Sequence, residues 1–288
     1  MADNMILDYP DELLRLSLSF LGVGHFAFIA LVCSRFKIAY LANDSDEMIT
    51  TAESVTSSIS RAEKYFEDAG TDYEQLRFFW CNVARYGRVD VMEWAHQQGY
   101  SRVWSEQFHG RIVGYQVCMK AAECGQLATL QWLRQNGCSW DIETSSVAAK
   151  GGHLSVLQWA RANGCEWDSQ TCSSAALGGH LSVLQWVREN ECPWNEMTCS
   201  NAAGGGHIPI LQWARENGCA WDSYTCYRAA EGGHLSVLQR ATENGCLWDI
   251  QIYDAATSCG NPDVLNYVRH HWSTQEEDSE PFYYNKIK

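Results

Sequence analysis

Basic charge is scarce in this sequence, and no lysine- or arginine-rich run occurs in it. The 288 residues include 21 Lys and Arg against 35 Asp and Glu, which gives a formal net charge of −14. Surfaces that bind nucleic acid or anionic lipid concentrate positive charge. We therefore expect no nucleic acid and no membrane among the partners, and we expect protein partners with basic or neutral surfaces.

The sequence also lacks the features of a membrane-spanning or secreted protein. The most apolar stretch, Phe20 to Cys33, is interrupted by His25 and is too short to span a bilayer. The first residues, "MADNMILDYPDELL", are acidic where a secretory signal peptide is basic. The 13 cysteines are an odd number in a long chain, which does not indicate a disulfide framework. The sequence therefore predicts an intracellular protein, cytoplasmic or nuclear, with reduced thiols.

Motifs of catalytic sites are also missing. The sequence contains no Gly-x-Ser-x-Gly, no phosphate-cradling glycine loop and no His-Glu-x-x-His. The "GGGH" at residues 204–207 joins two glycines of a repeat to a variable position. With 13 cysteines and 9 histidines, a chance Cys/His pair singles out no nucleophile. We expect no enzyme, no catalytic residue and no cofactor.

What the sequence does contain is one segment repeated many times. Gly-Gly-His begins at residues 151, 178, 205 and 232, and Cys-x-Trp followed by Asp or Asn begins at 138, 165, 192, 219 and 246. Both series have a period of 27 residues, and degenerate copies begin at 86, 124 and 259, which makes about seven units. A fixed period in this range is typical of supersecondary units that stack on one another.

The first half of each unit predicts a short helix. Asp168 precedes a run that begins at Ser169, and its carboxylate is placed to accept a hydrogen bond from the Thr171 N–H as an N-cap. We expect Gly178 and Gly179 to supply the positive φ that ends the helix. Small residues form one stripe along it, at Cys172, Ala175 and Ala176.

The second half of each unit predicts another helix, "LSVLQWAR" at residues 154–161. Only one narrow polar stripe interrupts its apolar surface, so we expect it to be buried on both sides, between neighbouring units. Asn163 and Gly164 then form a C-cap. Each unit is therefore predicted to be a helical hairpin.

A threonine, paired alanines, Gly-His, an apolar second helix and a closing Asn-Gly follow one another in the central units. This order resembles the ankyrin repeat, and the resemblance covers residues 74–272. It implies an all-α fold, an α-solenoid of stacked helical hairpins. The unit is about six residues shorter than the usual ankyrin unit, and the missing residues fall in the β-hairpin between units. We therefore expect the projecting fingers of that family to be short or absent.

Recurring cysteine and histidine columns raise the question of a metal site. Equivalent residues of stacked helices lie about 10 Å apart, whereas zinc ligands lie about 2.0 to 2.3 Å from the metal. No Cys-x-x-Cys occurs either, so we expect no metal. Instead, the cysteines should be small buried residues, the histidines should hydrogen-bond the turn between units, and the tryptophans should cover the edge of each helix pair.

The N-terminal residues 7–40 carry no trace of the repeat and are rich in Leu and Phe. Two or three short helices of this composition cannot bury their own apolar surface, so another surface must cover it. Its residues include, in order, Tyr9-Pro10, Glu12-Leu13-Leu14, Phe20-Leu21, Phe26 and Val32-Cys33-x-Arg35-Phe36. This order resembles an F-box, with departures at Tyr9, Gly24-His25 and Phe36. The resemblance implies docking to a Skp-type adaptor, and through it to a cullin, by the following residues: Pro10, Glu12, Leu13, Leu14, Leu21, Phe26, Val32 and Cys33.

The segments predicted are an F-box-like module at 1–41, a linker at 42–73, the repeat solenoid at 74–272 and an acidic tail at 273–288. With the F-box resemblance, the chain looks like a substrate receptor of an SCF-type, cullin-RING ubiquitin ligase, whose repeats bind an unknown protein cargo. The alternative is an ankyrin-type binding scaffold without a ligase link, whose N-terminal helices cap the solenoid.

Three positions of the first helix vary between copies while their neighbours barely change. They are spaced four and three apart, so they share one helix face, and stacking aligns them into what we call the variable strip. In ankyrin-like arrays this is the concave face that binds proteins; the alternative is a tolerant solvated surface. The predicted cargo-binding residues are Gln170, Ser174, Leu177, Met197, Asn201, Tyr224, Arg228 and Glu231. A second candidate is the insertion at 100–117.

Overall fold

The computed structural model describes residues 58–60, 62–63, 73–108 and 111–276. The described chain begins with short helical stretches at 59–60 and 62–63. The next elements are α1 (Tyr73–Tyr86), α2 (Val89–Gln97), a 3₁₀ helix (Tyr100–Ser105), β1 (Gln107–Phe108), β2 (Arg111–Ile112), α3 (Val113–Glu123) and α4 (Leu127–Gln135).

Ten further helices follow as five pairs. They are α5 (Ile142–Lys150), α6 (Leu154–Ala162), α7 (Ser169–Gly178), α8 (Leu181–Glu189), α9 (Glu196–Gly204), α10 (Ile208–Glu216), α11 (Ser223–Glu231), α12 (Leu235–Glu243), α13 (Gln251–Ser258) and α14 (Pro262–Glu276). The predicted all-α class of helical hairpins is confirmed. In the described chain, the β1–β2 hairpin lies in the insertion, and the segments that join the repeats carry no strand, which agrees with the expected loss of projecting fingers.

The described chain forms two compact units. The first extends to Lys120 and includes Gln131–Cys138, and the second comprises Ala121–Leu130 and the residues from Ser139 onward. In the first unit, the insertion packs against α1 through tryptophans. Trp80 Nε1 donates to Tyr100 O at 3.0 Å, and the Trp80 and Trp104 rings lie 4.8 Å apart, edge to face.

Stacking of the hairpins defines the second unit. The first helices of the pairs pack side by side in chain order, α5 against α7, α7 against α9, α9 against α11, and α11 against α13. Each also packs against the second helix of its own pair. The small-residue stripe makes this close approach possible, because Cys172, Ala175 and Ala176 of α7 are fully buried. The array is therefore a solenoid of helical hairpins within this unit.

The N-caps of the first helices were predicted at the right residues but with the wrong donor. The Asp168 carboxylate accepts from the Gln170 N–H at 2.9 Å, and Thr171 N–H bonds to the Asp168 carbonyl instead. The aspartate side chain thus caps the second residue of the helix, and the backbone turn satisfies the third. Asn195 caps α9 in the same way, through the Met197 N–H.

The second helices are buried on one side only, contrary to the expectation of burial on both. In α6, Val156, Leu157 and Ala160 are fully buried, whereas Leu154 and Trp159 are half-buried. The buried residues recur at i, i+1 and i+4, which is a single stripe facing the first helices. The second helices therefore form an outer layer, partly covered by their tryptophans.

The two glycines of Gly-Gly-His have different roles, although both were expected to supply positive φ. The second glycine does so, with φ of +75° at Gly152 and +81° at Gly179. The first does not, since Gly151 has φ of −81°. It is required by close approach instead: a Cβ at Gly178 would lie 2.2 Å from the Lys150 carbonyl oxygen of the preceding repeat.

Helix α14 continues to Glu276, four residues beyond the predicted end of the solenoid, so the predicted tail from residue 273 begins inside a helix. The other predicted boundaries stay predictions, because the F-box-like module and most of the linker lie outside the described residues. Among the described residues, no helix has the length and hydropathy to cross a bilayer.

Candidate protein-binding surface

The structure places the variable strip on α7, α9 and α11, three first helices that pack in succession. All eight predicted cargo-binding residues are accessible: Gln170, Met197, Tyr224 and Glu231 are exposed, and Ser174, Leu177, Asn201 and Arg228 are half-buried. Their neighbours on the same helices, such as Thr171 and Ala175, are fully buried. The spacing of four and three therefore selects one accessible face, as predicted. Whether that face binds cargo stays a prediction.

Contacts between repeats hold part of the strip in place. Asn201 Nδ2 of α9 donates to the Ser173 carbonyl oxygen of α7 at 3.2 Å. The Arg228 guanidinium of α11 lies over Gly204 of α9, where a Cβ would come within 3.0 Å of its nitrogens. The strip is therefore continuous from one repeat to the next.

An aromatic pair stands at one end of the strip. The Tyr224 and Tyr227 rings are stacked, with centroids 5.3 Å apart and planes 10° from parallel. Sequence reasoning missed Tyr227, whose position holds buried Ser173 and Ser200 in the preceding copies. The sequence does distinguish this position, because one copy has tyrosine where the preceding copies have serine. The Glu231 carboxylate raises the pKa of Tyr227.

The charged side chains of the variable strip, Arg228 and Glu231, neutralise each other. The Arg228 guanidinium donates to Glu231 Oε2, and these two side chains form an i,i+3 ion pair. Tyr227 Oη also donates to Glu231, at 3.4 Å. Arg228 therefore presents less free positive charge than the sequence indicated. The large apolar parts of the strip are Met197 and Tyr224, which are 38% and 39% exposed.

The histidine column joins successive repeats, but it bonds to the ends of first helices and not, as expected, to the turn between units. Nε2 of His153, His207 and His234 lies 3.0, 3.2 and 3.1 Å from the carbonyl oxygens of Glu123, Leu177 and Gly204. In every case the two residues are 30 positions apart. Each bond satisfies a carbonyl at the end of the preceding first helix.

Tryptophans cover the edge of the helix pairs, also as expected. Trp167 meets Trp186 edge to face with centroids 5.8 Å apart, and the pairs Trp140–Trp159 and Trp194–Trp213 repeat this contact. Arginines from the second helices lie over the same column, with Arg161 4.4 Å from the Trp167 ring centre. These contacts are structural.

The cysteine columns are buried, which agrees with the expected packing role. The turn cysteines also hydrogen-bond to the preceding cap residue: Cys192 Sγ donates to the Asp168 carbonyl oxygen, and Cys219 Sγ to that of Asn195, both at 3.2 Å. Within the described part of the chain, no group of three or more His, Cys, Asp or Glu side chains could hold a metal ion.

The predicted adaptor-binding residues lie outside the described residues. These are Pro10, Glu12, Leu13, Leu14, Leu21, Phe26, Val32 and Cys33. Of the insertion at 100–117, Trp104 is buried. Because Trp104 packs on Trp80, part of this second candidate surface belongs to the core of the first unit.

No protein-family model matches the chain, and no curated protein matches it either. Among solved structures, the human ASB11 ankyrin repeat domain is similar over 71% of this chain and 99% of that one, with 14% identity and a TM-score of 0.48. The pentatricopeptide repeat protein PPR10, in complex with an 18-nt psaJ RNA element, is similar over 94% of this chain and 44% of that one, with 14% identity and a TM-score of 0.41. Both scores lie below 0.5, so the fold assignment rests on the helical hairpins themselves.

Proposed function

We propose that this protein is a binding scaffold whose repeats bind a protein cargo through the variable strip. One observation supports it most: Met197 and Tyr224, at the same position of adjacent repeats, are large apolar side chains that the fold leaves exposed. Aromatic residues and methionine are enriched at protein interfaces. The net charge of −14 argues against a phosphate backbone as the partner.

The strip is tested by capturing proteins on the immobilised full chain and on two variants. Met197→Ala/Tyr224→Ala/Arg228→Ala removes the strip. Leu247→Ala/Ile250→Ala is the matched control, because these side chains are 75% and 59% exposed but lie on the turn before α13. A captured protein is then purified and its Kd is measured against all three chains.

We expect the triple variant to lose at least about 2 kcal/mol of binding free energy, roughly a thirtyfold higher Kd. The control variant should bind like the wild type, and the thermal unfolding of both variants should be nearly unchanged because the replaced side chains are not buried. A cargo that binds all three chains equally well would place the binding surface elsewhere.

We further propose that the N-terminal module docks a Skp-type adaptor, which would make the chain a substrate receptor of a cullin-RING ligase. The support is the order of residues from Pro10 to Cys33 that resembles an F-box. The ligase chemistry would then belong to the partner enzyme, since the receptor only brings adaptor and cargo together.

The adaptor is tested with Pro10→Ala/Leu13→Ala/Leu14→Ala. We expect the wild-type chain and a purified Skp-type adaptor to elute together as a one-to-one complex at micromolar concentration, and the variant to elute alone. If the wild type and the adaptor elute separately, the receptor function is wrong. If the variant instead unfolds at a lower temperature than the wild type, the module caps the solenoid.

A further inference from the structure

Buried thiols occur in pairs inside the hairpins. Cys118 Sγ lies 3.8 Å from Cys138 Sγ in the first unit, and both are fully buried. One cysteine comes from the first helix of the hairpin and the other from the turn 20 residues later. The same two positions hold cysteines in three hairpins of the second unit: Cys172 with Cys192, Cys199 with Cys219, and Cys226 with Cys246.

Hydrogen bonds from a thiol to the partner's backbone join two of the three pairs in the second unit. Cys172 Sγ lies 3.8 Å from the Cys192 carbonyl oxygen, and Cys192 Sγ donates to the Asp168 carbonyl oxygen. Cys226 and Cys246 repeat the arrangement at 4.0 Å. The first-helix thiol is thus directed at the residue that carries the second thiol.

One hairpin lacks the first of the two cysteines. Ser145 stands at that position and donates to Cys165 Sγ at 3.3 Å and to the Glu166 carbonyl oxygen at 2.9 Å. Ser145 is buried as the cysteines are. The site therefore accepts either side chain, and the serine hairpin is a natural control for chemistry that needs two sulfur atoms.

We propose that the four pairs are modification sites, at which a low-molecular-weight disulfide such as oxidised glutathione converts each dithiol into a disulfide within its own hairpin. A disulfide requires an S–S separation of about 2.05 Å. The Cys118 and Cys138 sulfurs, 3.8 Å apart, are already in contact, so side-chain rotation brings them together. The other three pairs occupy the same two positions of the hairpin, and their thiols are also hydrogen-bonded to each other. The Ser145 hairpin forms no such bond.

The reaction balances as two successive exchanges. The Cys246 thiolate attacks oxidised glutathione, the glutathione S–S bond breaks, and one reduced glutathione leaves. The Cys226 thiolate then attacks Cys246 Sγ, the Cys226–Cys246 bond forms, and the second reduced glutathione leaves. Two protein thiols are oxidised, one glutathione disulfide is reduced, and the two thiol protons pass to the released glutathione.

The pKa and the exposure of each thiol determine which cysteine reacts first. The hydrogen bond that the Cys226 thiol makes to the Cys246 thiol lowers the pKa of Cys246, and the same bond together with burial raises the pKa of Cys226. Cys246 is also 5% exposed, whereas the other cysteines of the pairs are fully buried. Oxidation therefore requires a local opening of each hairpin and starts at Cys246.

The test uses the full chain, first fully reduced and then incubated with oxidised glutathione. After the remaining thiols are alkylated, intact mass and non-reducing peptide maps are recorded over time. We expect four disulfides within hairpins, each seen as two thiols that take up no alkylating reagent, with Cys226–Cys246 forming first. Glutathione that stays attached to Cys246, or disulfides that join different hairpins, would overturn the proposal.

Two variants test whether a disulfide depends on the cysteine in the first helix: one adds this cysteine and the other removes it. Ser145→Cys should add a fifth disulfide, between position 145 and Cys165, and Cys172→Ser should remove one and leave the others. Circular dichroism and thermal unfolding in reducing buffer check that both variants fold. If Cys172→Ser does not fold, Ser145→Cys still decides, because its failure to form the extra disulfide would show that the paired geometry does not support oxidation.

Discussion

A single residue shows how strictly the turns between repeats select their backbone. Where the other central copies have Asn-Gly with φ near +80°, the chain has Asn190-Glu191, and Glu191 takes φ of +64°. It is the one non-glycine residue with positive φ in the described parts of the chain. L-residues pay a steric penalty there that glycine does not. The repeat therefore tolerates a strained residue at this turn.

Replacing this residue by glycine should stabilise the protein. We expect Glu191→Gly to raise the free energy of unfolding by roughly 1 kcal/mol, because the steric conflict of the left-handed region is removed. Urea unfolding followed by circular dichroism measures the change. Glu191→Gln, which removes the charge but keeps the Cβ, is the control and should leave stability unchanged. A gain in the glutamine variant would assign the effect to charge.

The sequence predicted the residue-scale features that are local and missed those that depend on a neighbouring repeat. Asp168 was identified as an N-cap because its type and position suffice, but the choice between the Gln170 and Thr171 N–H depends on geometry within the first turn. The glycine at 178 was assigned to φ, whereas the Lys150 carbonyl of the preceding repeat excludes a side chain there.

At the scale of the element, two first helices offer a matched comparison of caps. The Asp168 carboxylate accepts a hydrogen bond from the backbone of α7, but the side chain of Asp222, at the same position before α11, makes no cap hydrogen bond. Asp168→Ala should cost about 1 kcal/mol of unfolding free energy. Asp222→Ala should cost about 0.3 kcal/mol, from the helix dipole alone.

Equilibrium unfolding of the two alanine variants in the same buffer tests this difference. The hydrogen bonds from the turn cysteine thiols to both aspartate carbonyls survive the substitutions, so they cancel in the comparison. Equal losses of stability would mean that charge at the helix terminus, rather than the cap hydrogen bond, stabilises these helices.

Helix number and order could be predicted because the 27-residue period fixes them, but burial could not. Leu154 and Trp159 made α6 look buried all round, yet both are half-buried because α6 belongs to the outer layer. The variable strip could be predicted, because the positions that vary between copies lie on one accessible face of the first helices. Tyr227 was missed because its equivalents, Ser173 and Ser200, are small and buried, whereas Tyr227 itself is half-buried.

At the scale of the whole array, stability should vary along the second unit. Helices α7 and α9 each pack between two first helices, whereas among the described helices α13 packs against one first helix, α11. In a stack where each repeat contacts its neighbours, end repeats open most often. We expect amide hydrogen exchange to be slower in α7 and α9 than in α13. Uniform protection would show that the unit opens only as a whole.

The histidine contacts between repeats have a constant sequence separation of 30 residues. The thiol contacts, which join the cap of each hairpin to the turn that closes it, have a constant separation of 24. Removing or duplicating any 27 consecutive residues of the central array therefore brings equivalent donors and acceptors to the same separations. Unequal recombination within the gene could change the number of hairpins in one step and leave every remaining interface chemically intact. The length of the array is then free to evolve separately from its stability per repeat.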